Sequence, residues 1–148
     1  MSRHQPERRA LLAAAAAAAL LAACARSDPE RELRATIAAM AQAIERREPG
    51  DFLAAVADDF TRDSAAFGKQ DAKRLLAGLL LRNEKIGVTA VVTDLQLQGE
   101  RAQVRLRVIA TGGAGLLPER GRTWEFDSAW RRSDGRWQVF NAEWREGL

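Results

Sequence analysis

Few side chains in this 148-residue chain can do chemistry beyond acid–base work. Cys24 is the one cysteine, His4 the one histidine, and tyrosine is absent. A lone thiol has no internal partner for a disulfide. His4 stands in a short basic segment where Arg3, Arg8 and Arg9 outweigh Glu7. What remains are carboxylates. In Asp58-Asp59, neighbours on a helix diverge by about 100° and do not converge on one proton or cation, so the pair reads as a solvated helix end. A second set is formed by Glu125, Asp127, Asn141 and Glu143, which share one face of two paired strands if side chains alternate without interruption. In that register Trp124, Phe126, Trp130, Phe140 and Trp144 take the other face. A slip of one residue scrambles the partition, and the sequence alone leaves the register open.

The elements that would position these groups begin after an export segment. Behind the basic start come Ala10-Leu11-Leu12, seven alanines and Leu20-Leu21, the layout of a secretory signal. The apolar run of residues 10–23 would span about 21 Å as a helix, short of the ~30 Å hydrocarbon core. Leu21-Ala22-Ala23-Cys24 resembles the bacterial lipobox, in which small residues precede a cysteine that becomes lipidated and then N-terminal. The resemblance implies that residues 1–23 are removed, that Cys24 carries the lipid, and that residues 24–29 are a short tether before a domain over 30–148. It also implies a cell-envelope location with a membrane as partner. Ala25 in place of an aspartate favours the outer membrane, facing the periplasm.

Removing residues 1–23 takes away Arg3, Arg8, Arg9 and Glu7 and lowers the formal charge from +3 to +1. A sustained basic surface is then missing, and nucleic acid is not an expected partner. The only histidine leaves with the same segment. Ser-His and Cys-His nucleophilic catalysis, His-containing metal sites and tyrosine oxyanion donors are thereby excluded from the remaining domain. Neither a metal nor a cofactor is expected.

Ser27 and Glu30 have capping-box spacing, and Pro29 suits a first turn. Leu33, Ile37, Met40 and Ile44 then form a helical stripe ended by Glu48-Pro49-Gly50. A short second helix is expected from Asp51 through Val56, closing at Asp58-Asp59-Phe60, and a third from Lys69 to Arg82. From Gly87 the apolar period becomes two. Strands are expected over 88–98, 102–111, 122–132 and 136–145. Gly99-Glu100 and Ser133-Asp134-Gly135 are the tight connections, and a glycine-rich loop runs to about Gly121.

Helices followed by an antiparallel sheet are an α+β order. The opening helix leading to Asp51-Phe52 and Asp58-Asp59-Phe60, the helix at 69–82 and the closing Trp130-Arg131-Arg132-Ser133-Asp134-Gly135-Arg136-Trp137-Gln138-Val139 together resemble the nuclear transport factor 2-like, or SnoaL-like, superfamily. The resemblance implies a cone-shaped fold, with N-terminal helices packed on a curled antiparallel sheet around a pocket. It implies Glu125, Asp127, Asn141 and Glu143 as pocket-lining groups and a homodimer through the outer sheet face. Enzymes of the superfamily pair an Asp base with Tyr, or use His-Asp; this chain has neither partner. An Asp127 base with an arginine such as Arg107, as in the epoxide hydrolase branch, is the remaining acid–base arrangement. The expected function is a non-catalytic, lipid-anchored domain that binds a small apolar or amphipathic ligand or a protein partner. A carboxylate-dependent isomerase or hydrolase and a structural envelope-assembly protein are the alternatives.

Overall fold

A computed structural model describes residues 28–112 and 121–147. The expected signal segment, Cys24, most of the tether and the glycine-rich loop from Gly113 lie outside the described residues. The described residues fall into two units, one ending at Glu32 and the other beginning at Leu33. In the first, the described residues open helix α1 (Pro29–Glu45). Asp28 Oδ1 accepts the Glu30 N–H at 3.0 Å, so Asp28 caps this turn. Ser27, the expected cap, is outside the described residues.

In the second unit α1 continues with Leu33, Ile37, Met40 and Ala43 buried, the stripe read from sequence with Ala43 added. Arg47 then turns the chain at φ 61°. Its guanidinium donates to the Leu80, Asn83 and Glu84 carbonyls at 2.5, 2.7 and 3.1 Å. These lie in and just beyond the last turn of helix α3 (Lys69–Arg82), where helical carbonyls lack partners and a cation is favoured.

The second helix is shorter than expected. Helix α2 (Pro49–Ala54) stops before Val56, and Val56–Arg62 form strand β1. Six residues make a helix too short to persist by propensity alone. Tertiary pairing decides instead: β1 lies parallel to the last strand, with Val56 opposite Val139 and Arg62 opposite Ala142. The change buries Val56, Ala57 and Phe60. Asp58 and Asp59 therefore stand on a strand, where Asp58 pairs with Lys69 at 3.0 Å and Asp59 with both terminal nitrogens of Arg131.

Strands β2 (Ile86–Gln98), β3 (Arg101–Gly112), β4 (Arg122–Ser133) and β5 (Arg136–Glu146) form an antiparallel meander close to the expected bounds. The sheet order is β1-β5-β4-β3-β2. One edge being parallel, the sheet is mixed rather than wholly antiparallel. In the antiparallel pairs two bulges, at Thr93 and Phe140, leave one residue each without a cross-strand partner, and bulges strengthen local twist and bend. The core of this unit joins Leu33, Ile37 and Met40 of α1 to Val104, Leu106, Trp130, Trp137 and Val139 of the sheet. No described helix is long and apolar enough to cross a membrane.

Candidate functional site

The inward side chains do not fill the space between helices and sheet. A cavity of about 390 Å³ remains, within the usual range for small-molecule sites. Its walls come from the period of each element. Ile37, Met40 and Ile44 recur along α1; Leu75, Leu76 and Leu79 along α3; Leu106 and Val108 along β3; Trp124, Phe126, Ser128 and Trp130 along β4. Leu75 both lines the cavity and is 52% exposed, so α3 borders its opening. Phe60 and Phe67 continue the aromatic wall. The Phe67 ring meets Trp144 edge-on at 5.2 Å, and Trp144 stacks on Phe126 at 5.6 Å.

Among the described residues, the lining includes no Asp, Glu, Lys, Arg or His. Ser128 is the buried polar side chain among the described residues. Its hydroxyl donates to the Val104 carbonyl and accepts the Trp130 indole N–H, both at 2.8 Å. Sequence reasoning passed it over. The available signal was a hydroxyl at an inward position between Phe126 and Trp130.

Glu125, Asp127, Asn141 and Glu143 do share a face, but it is the one turned away from the cavity, and none of them lines it. Asp127 is largely exposed and accepts from Arg105 Nε at 3.1 Å. Arg107, expected near Asp127, donates instead to Glu125 at 2.7 Å. Asn141 donates to Thr61 Oγ1 and Asp63 Oδ1 at 3.1 and 2.8 Å. Glu143 accepts from the Ser64 N–H, the Ser64 hydroxyl and Arg62 Nε at 2.7, 2.8 and 3.0 Å. The arrangement has a physical reason. Turning four polar groups inward would cost their hydration, and the aromatic residues between them would lose burial.

The expected aromatic face needs one correction. Trp124, Phe126, Trp130 and Trp144 line the cavity, but Phe140 does not. It is the bulged residue, since Trp130 pairs with Val139 while Ala129 pairs with Asn141. The bulge reverses the phase before residue 140, so Val139 faces inward. Phe140 is met instead by the guanidinium groups of Arg101 and Arg131, 5.5 and 5.3 Å from its centroid.

Beside the cavity, Arg62 covers the Trp144 ring at 3.9 Å while bonded to Glu143. The Ser64 hydroxyl, opposed by partial burial and reinforced by Arg62, holds the Glu143 carboxyl below the usual carboxylate range. Arg131 does the same for Asp59, through hydrogen bonding first and charge second. Both carboxylates are thus committed anions that tie β1 and its following turn to the sheet. Among the described residues no group of three or more His, Cys, Asp or Glu gathers as metal ligands.

No family model and no curated protein matches the sequence. Solved structures do match the fold. A protein provisionally assigned as a scytalone dehydratase, from Novosphingobium aromaticivorans, superposes with a TM-score of 0.69 at 16% identity, covering 80% of this chain and 84% of that one. A nuclear transport factor 2-like protein of unknown function from Pseudomonas putida gives 0.63 at 21% identity, over 80% and 87%. A provisionally assigned dehydratase of the nuclear transport factor 2-like family, from Streptomyces avermitilis, gives 0.66 at 15%, over 80% and 96%. The chain therefore has the nuclear transport factor 2-like fold: α+β, with helices packed on a curled, open, mixed sheet of five strands.

Proposed function

We propose that this domain binds a small apolar or amphipathic molecule in the cavity and is held at the cell envelope by a lipid on Cys24. The observation that carries the first half is the lining: aromatic and aliphatic side chains around about 390 Å³, with no ionisable group among the described residues that form it. Burying an apolar ligand there gains roughly 25 cal/mol per Å² removed from water, less the cost of association. Support for the anchor is the sequence Leu21-Ala22-Ala23-Cys24 behind a basic and apolar leader. Two or three acyl chains, at about 0.8 kcal/mol per buried CH2, would hold the protein stably on a membrane. Removal of residues 1–23, the short tether over 24–29 and an outer-membrane, periplasm-facing location belong to the same reading.

The dehydratase names of two structural neighbours favour a second reading, a carboxylate-dependent enzyme of the SnoaL-like type. Against it stands Asp127, which faces away from the cavity and is engaged by Arg105. Native mass spectrometry of the purified chain after exposure to a lipid-rich cell extract distinguishes the two. The binding reading expects a retained apolar adduct, equally present in Asp127→Asn and lost in a cavity-filling variant such as Ala90→Phe. An adduct that Asp127→Asn converts more slowly, or no adduct at all, counts against it. Palmitate labelling of wild type but not Cys24→Ser is expected for the anchor, and equal labelling would sink it.

A further inference from the structure

We propose that Ser128 makes the cavity selective for apolar molecules bearing a hydroxyl or N–H donor. This rests on the binding reading above and adds the ligand's polarity. A serine hydroxyl has one proton to donate and two lone pairs to accept with. The proton is committed to the Val104 carbonyl at 2.8 Å. One lone pair receives the Trp130 indole N–H at 2.8 Å. That direction is fixed, because an indole nitrogen donates and does not accept.

One lone pair is left, on a side chain that is 4% exposed and belongs to the cavity wall. It can only accept. A ligand hydroxyl or N–H satisfies it. A carbonyl or ether oxygen would face it oxygen to oxygen, and rotating the serine proton to meet that oxygen would take it from Val104. A carboxylate fares worse still, since the described lining offers no cation. The flat rings of Phe126, Trp130 and Trp144 beside Ser128 suit a ring system. The class is therefore a phenol or a cyclic alcohol rather than a ketone, ester or fatty acid.

Three probes on one ring system test this with the full chain by isothermal titration. 2-Naphthol carries a donor, 2-naphthaldehyde an acceptor alone, and 2-methylnaphthalene neither. Wild type is expected to bind 2-naphthol roughly tenfold more tightly than 2-naphthaldehyde, the usual scale for a buried hydrogen bond made or left unmade. Ser128→Ala should remove most of that preference and leave 2-methylnaphthalene within about twofold. Should Ser128→Ala fold poorly through loss of the Trp130 partner, Ser128→Thr keeps a hydroxyl and is expected to keep the preference. Equal affinity of wild type for 2-naphthol and 2-naphthaldehyde, or a preference surviving in Ser128→Ala, overturns the inference while leaving the cavity a binding site. Failure of all three probes to bind overturns the binding reading and this inference with it.

Discussion

At the scale of single residues, the polar groups that stand out in the sequence and the polar group that matters to the cavity are different ones. Glu143, expected to line the pocket, serves as a tie, taking three hydrogen bonds from Arg62 and Ser64. Its folded pKa is depressed, led by the Ser64 hydroxyl. A depressed carboxylate stabilises the fold above its unfolded value of about 4.3, and the contribution disappears as pH falls through the lower folded value. Glu143→Gln should therefore melt below wild type at pH 6 to 7, with the gap narrowing as pH drops under about 4. Thermal melts across that range read it directly, and a gap that widens in acid would contradict the assignment. Ser128 stayed unnoticed because a lone serine in a strand carries no chemical signature until its neighbours are placed.

At the scale of elements, the helical stripe of α1, the helix at 69–82 and the four long strands were legible because their apolar periods recur over many residues. The hairpin between β4 and β5 was legible for a stricter reason. Asp134 and Gly135 sit at φ 52° and 73°, the paired positive values a two-residue turn of this hand requires, and Asp-Gly is a preferred dipeptide for it. Gly135→Ala forces a Cβ into that region and should cost about 1 kcal/mol in denaturant unfolding; an unchanged midpoint would place the turn elsewhere. Two features were not legible. β1 has a helix-compatible composition, and only its pairing with β5 makes it a strand. The bulge at Phe140 breaks an alternation that nothing in Val139-Phe140-Asn141 announces, which is why the expected aromatic face was right near Trp144 and wrong near Phe140.

At the scale of the 33–148 unit, polarity is sorted by side of the sheet, with ion pairs outside and an oily cavity within. A cavity in a marginally stable domain forgoes packing contacts that a ligand can restore. Binding to the folded state alone should raise stability by about 2.7 kcal/mol when free ligand is a hundred times its Kd. 2-Methylnaphthalene is therefore expected to raise the melting temperature in proportion to the logarithm of its concentration, and a flat response would show that it does not enter. The mixed sheet also sets an order of events. β2 to β5 join neighbours along the chain, whereas β1 reaches β5 across a separation of 80 residues, from Thr61 to Asn141. Closing so long a loop costs more chain entropy than closing a hairpin, so this pairing is expected to follow the local hairpins. In stopped-flow refolding, tryptophan burial in the meander should precede the recovery of probe fluorescence. That order would complete the meander first and the cavity wall formed by Val56 and Phe60 last.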